Sequence, residues 1–144
     1  MLMSFKVIYE ILEEINKSQN KKEDILRKHL KDPIFSKTLR EVLNHLIDKK
    51  HIINLKRVNY CIYFDDPIAS ENQNTDGIFK MLEYLYEKGS DPSIDEISYL
   101  EKVSSIDVET VEVVTRILNK FSGCGLTEES IKSILEETQN ESII

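Results

Sequence analysis

The chain has 144 residues, 40% hydrophobic and 31% charged, with a formal net charge of -7 and two cysteines. That length suits one domain with a real core, and no apolar run approaches the roughly 18 residues needed to cross a membrane. The charge is unevenly spread: residues 1–60 hold 13 Lys and Arg against 8 Asp and Glu, a balance of +5, whereas residues 61–144 hold 6 against 18, a balance of -12. Overall acidity therefore does not exclude nucleic acid, because a local basic face can still meet phosphates. Lys17, Lys21, Lys22, Arg27, Lys28, Lys31, Lys37, Arg40, Lys49, Lys50, Lys56 and Arg57 make up the basic half. Plain solvated helix faces are the alternative reading of the same residues.

In chain order, Phe5, Ile8, Ile11, Leu12 and Ile15 recur at helical spacing between the cap Ser4 and the polar break Ser18-Gln19-Asn20. A first helix is expected there, amphipathic and not a signal peptide, since Glu10, Glu13 and Glu14 interrupt its apolar pattern. A shorter second helix is expected from about Lys21 to Leu30, with Ile25, Leu26 and Leu30 inward. Asp32-Pro33 opens a third, through Phe35, Leu39, Val42, Leu43, Leu46 and Ile47 to about Lys49. The stretch His51 to Phe64 is rich in β-branched and aromatic residues, but with no second strand to pair with it reads as extended chain packed on helices. Asp65 to Asp76 reads as a polar loop, with Asp65-Asp66 before Pro67 as turn chemistry. A helix from about Thr75 to Lys88 follows, with Ile78, Met81, Leu82 and Leu85 on one face and Gly89 closing it. Asp91-Pro92 opens another, through Ile94, Ile97, Leu100 and Val103. Beyond Ser105, Val108, Val111, Val114, Ile117, Leu118 and Phe121 form one apolar stripe. A turn at Gly123-Cys124-Gly125 and a final helix capped at Thr127 complete the chain, and Thr138 to Ile144 should fray. The expected fold is all-α, a single compact domain of about seven short helices over residues 1–138.

The glycine turn has two readings. Gly123 and Gly125 permit positive φ and close approach of another backbone, which serves a helix stop, an ordinary corner, or contact with a phosphate chain. Glu128 and Glu129 suit the dipole of the final helix but would repel an arriving phosphate.

No catalytic motif of recognisable spacing stands in these residues. No Gly-rich phosphate loop, His-Glu-x-x-His helix, Cys-x-x-Cys pair or Gly-x-Ser-x-Gly elbow occurs. His29, His45 and His51 stand on separate elements and read as surface or packing histidines, and no metal or cofactor is expected in this chain. Cys61 and Cys124 are far apart and lack metal-ligand spacing, which suits reduced thiols in a cytoplasmic setting.

Two segments carry a family resemblance. KVIYEILEEINKSQNKKEDILRKHLKDPIFSKTL has a helix, a polar break, a Lys-rich helix of pattern Ile-Leu-x-Lys and a Lys/Asp turn into a third helix. VVTRILNKFSGCGL has a basic helix ending in Cys-Gly. Together they resemble the N-terminal helical DNA-binding domain of ATP-dependent DNA ligases, of the T-even bacteriophage type, over nearly the whole chain. Arg116 and Lys120 fall where that pattern has basic residues, and Cys124-Gly125 falls on its Cys-Gly. The chain departs from the pattern at Lys120-Phe121-Ser122, where the family has a basic-acidic-Leu run, and at Gly125-Leu126-Thr127, where it has Gly-Ala-Ser.

The resemblance implies sequence-independent binding of nicked duplex DNA in DNA replication and repair. The phosphate backbone would be the target, in support of a nucleotidyl-transferase ligase core. Apart from the resemblance, the chain is expected to be a monomer. The expected DNA contacts are Lys49, Lys50, Lys56, Arg57, Arg116, Lys120, Gly123, Gly125 and Thr127. The ligase motif Lys-x-Asp-Gly occurs nowhere here, so the chain is expected to be an excised N-terminal domain or a free-standing relative. The rival expectation is a phage regulatory or protein-interaction module that turns its acidic half towards a basic partner.

Overall fold

Each of the seven helices in the computed structural model, which describes residues 3–61 and 71–142, begins or ends where the sequence changes from apolar periodicity to capping or turn residues. They are α1 (Phe5–Lys17), α2 (Lys22–Lys31), α3 (Ser36–Ile47), α4 (Glu71–Lys88), α5 (Ile94–Ser104), α6 (Val108–Asn119) and α7 (Glu128–Ser142). Among the described residues there is no strand, and no helix is long and apolar enough to cross a membrane. Helix α1 lies against α2 and α6, α2 against α3 and α7, and α3 against α6 and α7. The pair α4 and α5 joins this group where α5 meets α6 and where Phe79 of α4 meets Phe5 of α1 and His45 of α3. The protein is thus an all-α single domain.

The core follows the expected stripes. Phe5, Ile8, Leu12, Ile15, Leu26, Leu39, Leu43, Leu46, Ile78, Leu82, Leu100 and Ile117 are buried almost completely. Each such aliphatic or aromatic side chain contributes about 1.5–3 kcal/mol relative to leaving it in water. Phe5 meets Phe79 edge-to-face at 5.2 Å between ring centroids, which seats α4 against the start of α1.

Helix α6 departs from the single-stripe expectation. Val113 is fully buried, whereas Val108 is 62% exposed and Phe121 64% exposed. The reason is that α6 is covered by α1, α3 and α5, so its Val111-Val114-Leu118 row and its neighbouring Val113-Ile117 row both face protein. Val108 overhangs these partners in the first turn. Ile94, counted among the apolar positions of α5, is likewise outside the core at 82% exposure.

At the helix ends, local chemistry sets boundaries that the apolar pattern alone does not mark. Asp32 does not cap α3 directly: its Oδ1 accepts from the Ile34 amide at 2.9 Å and its carbonyl from Phe35 and Ser36, making one turn before α3 begins at Ser36. Helix α4 begins at Glu71, four residues before Thr75, because a polar first turn fits a helix without adding an apolar signal. Helix α5 starts after Ser93, whose Oγ accepts from the Glu96 amide while the Glu96 carboxylate accepts from the Ser93 amide. This is a complete capping box.

Helix α7 continues through Ser142 where fraying was expected from Thr138. Thr138 is buried, and Arg40 of α3 donates to its Oγ1 at 3.0 Å and to Leu135 O at 2.9 Å. The stretch 51–61 is irregular chain laid on the helices, as expected. Its continuation Ile62 to Phe64, the loop stretch Asp65 to Ser70 with the Asp65-Asp66-Pro67 turn, and the tail residues Ile143 and Ile144 lie outside the described residues.

Candidate nucleic-acid interface

The irregular segment after α3 alternates between anchoring and exposure. Ile53 and Val58 are buried, and the chain between and beyond them is held by side chains of other elements. Asn119 Nδ2 donates to Lys56 O at 2.6 Å, the Val58 amide donates to Thr115 Oγ1 at 3.4 Å, and the Asn59 amide donates to Glu101 Oε2 at 2.7 Å. The Cys61 amide reaches Ser105 Oγ at 3.0 Å. With the backbone pinned to α6 and α5 in this way, Lys56 and Arg57 are left outward and exposed. Among the described residues, the side chains of Lys50, Lys56 and Arg57 have no hydrogen-bond or ion-pair partner. Lys49 is also exposed, and pairs with Glu128 Oε1 at 2.7 Å at the start of α7.

The two cations expected at the turn are engaged with the protein itself. Arg116 donates from Nη2 to Glu13 at 3.0 Å, from Nε to Glu112 at 3.0 Å and from Nη1 to Ser122 O at 3.1 Å, and its guanidinium lies over the Tyr9 ring. With a partner on each of its three nitrogens and its side chain only 12% exposed, Arg116 positions the turn and is turned away from solvent. Lys120 Nζ donates to His45 O at 2.8 Å and to Tyr86 Oη at 3.1 Å, and sits 5.0 Å over the Tyr86 ring. His45 O is one of the last carbonyls of α3, which no helical amide can reach, so the ammonium caps α3 from another helix. Burial lowers the Lys120 pKa from its ordinary value. Lys22 does the same for α1, donating to Ile15 O at 3.1 Å and Asn16 O at 2.7 Å.

Lys120, and not a glycine, stops α6. It adopts φ 54°, ψ 43°, with the Lys120 amide donating to Ile117 O at 3.2 Å and the Phe121 amide to Arg116 O at 3.0 Å. This is a Schellman arrangement with a left-handed residue that is usually glycine. The sequence offered no signal for it, because lysine rarely takes that conformation.

Gly123 and Gly125, at φ 68° and 84°, then turn the chain round the buried Cys124. A Cβ on Gly123 would stand 2.8 Å from Arg116 Cζ, so close packing against the guanidinium requires glycine there. A Cβ on Gly125 would meet the tip of Lys22 at 3.1 Å. Thr127 caps α7 as expected, its Oγ1 accepting from the Ser130 amide at 3.1 Å. A groove of about 380 Å³ runs beside the turn, lined by Leu46, Ile47, Lys120, Phe121, Thr127 and Ile131 among others. Leu126, which lines this groove, also borders a smaller polar hollow of about 290 Å³ lined by Lys21 and Lys22.

The nine expected contacts therefore divide. Lys49, Lys50, Lys56 and Arg57 form a strip of exposed cations on one segment, and Gly125 and Thr127 lie at the surface of the turn. Arg116, Lys120 and Gly123 hold the scaffold together. Sequence spacing missed this division because it shows which residues are basic but not which orphan carbonyls and carboxylates they will meet. Of the histidines, His29 pairs with Glu14 at 2.7 Å and His51 with Asp48 at 2.6 Å, while His45 lies between α3 and α4 beside Glu41 and Glu83. No protein-family model, curated protein or solved structure matches the chain.

Proposed function

We propose that this domain binds nicked duplex DNA through its phosphates without reading sequence, as the non-catalytic N-terminal domain, or a free-standing relative, of an ATP-dependent DNA ligase. One observation carries the reading: Lys50, Lys56 and Arg57, together with Lys49, project from one pinned segment, and among the described residues their only competing partner is Glu128 at Lys49. Phosphate neutralisation by Lys and Arg supplies affinity and salt dependence but no sequence information. Arg116, Lys120 and Gly123 act at one remove in this proposal, by fixing the turn beside the strip. Gly125 and Thr127 supply backbone at its edge. A catalytic core that encircles the duplex would be the partner.

A second reading, a protein-interaction module, is favoured by the α4–α5 hairpin. There Tyr84 and Tyr99 are each 50% exposed and Ile94 is 82% exposed, among the acidic Glu83, Glu87 and Asp95. Fluorescence anisotropy with a labelled nicked duplex separates the two. Three or four phosphate contacts imply log K falling against log salt with a slope of about -3 to -4, and absence of binding at low salt leaves the interaction reading.

A further inference from the structure

Glu41 and His45 stand four residues apart, so they share one face of α3. Across from them, Phe79, Glu83 and Tyr86 are spaced along one face of α4. The His45 ring stacks on Phe79 with centroids 5.5 Å apart and an 11° interplanar angle, and its Nδ1 lies 3.2 Å from Tyr86 Oη. One ligand atom from each of Glu41, His45 and Glu83 lies within 4.8 Å of the other two, the only such group of His, Cys, Asp and Glu among the described residues.

Two features separate this cluster from an ordinary patch of surface acids. It contains an imidazole whose ring is fixed by stacking and by a hydrogen-bond partner on one nitrogen. The two carboxylates also lack a direct partner: neither Glu41 nor Glu83 has a hydrogen bond or an ion pair among the described residues, and Lys37 acts on Glu41 only at longer range. Burial, and then the neighbouring Glu83 charge, raise the Glu41 pKa from its ordinary value.

We propose that Glu41, His45 and Glu83 bind one divalent transition-metal cation, with Zn²⁺ the best match to the donor set, and that the ion ties α4 to α3. One imidazole nitrogen with two carboxylate oxygens suits zinc and its neighbours, whereas magnesium and calcium prefer oxygen alone. Nδ1 is taken by Tyr86, so Nε2 is the nitrogen left for a metal. Lys120 already donates to Tyr86 Oη, whose second lone pair receives the Nδ1 proton in the tautomer that leaves Nε2 bare. Tetrahedral bonds of about 2.0–2.1 Å put ligand atoms roughly 3.3 Å apart, a closure that rotation of two glutamate side chains can supply. Glu83 is exposed, so a fourth position opens to water.

The surrounding charges are mixed in sign. Asp76 acts on Glu41 and Asp48 on His45 with the sign that favours a cation, while Lys37 acts on Glu41, and Lys120 and His51 on His45, with the opposite sign. With Glu41 and Glu83 included, the carboxylates outnumber the ammonium groups.

The test is isothermal titration of the full chain, stripped with chelator, with Zn²⁺ alone, alongside thermal melts with and without the ion. The expected result is one saturable site per chain and a higher melting temperature with zinc. E83Q alters an exposed side chain that the fold does not need, and should weaken binding at least tenfold. E41Q/E83Q should abolish the site. H51A and H29A should retain it, which excludes the other two histidines. Absence of saturable binding in the parent, parental affinity in E83Q, or loss of the site in H51A or H29A overturns the proposal. None of these readouts involves DNA, so the result stands apart from the function proposed above.

Discussion

Replacing Lys120 tests how the glycine turn is held. Its ammonium makes two hydrogen bonds, to His45 O and Tyr86 Oη, in a half-buried position at the junction of α3, α4 and α6. A buried hydrogen bond to a charged group contributes about 1.5–3 kcal/mol, and partial exposure of Lys120 discounts each of the two to about 1 kcal/mol, or about 2 kcal/mol together. Lys120→Ala keeps the Cβ, and with it the left-handed strain at φ 54°, so the whole loss should appear as destabilisation. Lys120→Gly loses the same bonds but relieves about 1 kcal/mol of strain, so it should be the milder change. Urea unfolding with an unchanged m-value would give the order parent, then glycine, then alanine, with steps of about 1 kcal/mol. DNA affinity of the folded alanine variant should stay within a few-fold of the parent. Parental stability in Lys120→Ala, joined to weaker DNA binding and a shallower salt slope, would refute this and return Nζ to a phosphate.

Gly123→Ala should destabilise by about 1–3 kcal/mol in the same unfolding assay, since it combines a positive φ with a 2.8 Å approach to an Arg116 that its partners hold fixed. Thr110→Val should raise stability by up to about 1 kcal/mol, because the buried Thr110 hydroxyl has no hydrogen-bond partner among the described residues and valine matches its shape. The Glu96 carboxyl is pulled from 4.5 down to about 2 by its bonds from the Lys88 ammonium, the Ser93 amide and the Tyr84 hydroxyl. A lowered folded pKa means that this stabilisation is present above about 4.5 and lost as pH falls towards about 2. The melting temperature should therefore decline through that window, and less so in Glu96→Gln.

The helices were legible because burial on one side imprints a 3.6-residue period, as in Phe5-Ile8-Leu12-Ile15. The apolar stripe of α6 marks one face although three neighbours cover the helix, because periodicity records a stripe but not the number of partners. The strip Lys49 to Arg57 was visible as a basic run next to an unpaired extended segment. The inward roles of Arg116, Lys120 and Lys22 were not visible, since each depends on a carbonyl or carboxylate brought close by the fold from 6 to 103 residues away along the chain. The grouping of Glu41 and His45 with Glu83 was hidden for the same reason: its third member belongs to another helix.

Whether the exposed cations hold DNA is decided by salt titration of nicked-duplex binding by the parent and by a Lys49→Ala/Lys50→Ala/Lys56→Ala/Arg57→Ala variant. All four side chains are exposed, so the variant should melt close to the parent. The parent should bind all sequences alike with a slope of about -3 to -4, and the variant should lose most of the affinity and flatten the slope towards zero. A folded variant that binds as the parent does, or a parent that fails to bind duplex at low salt, would contradict the claim.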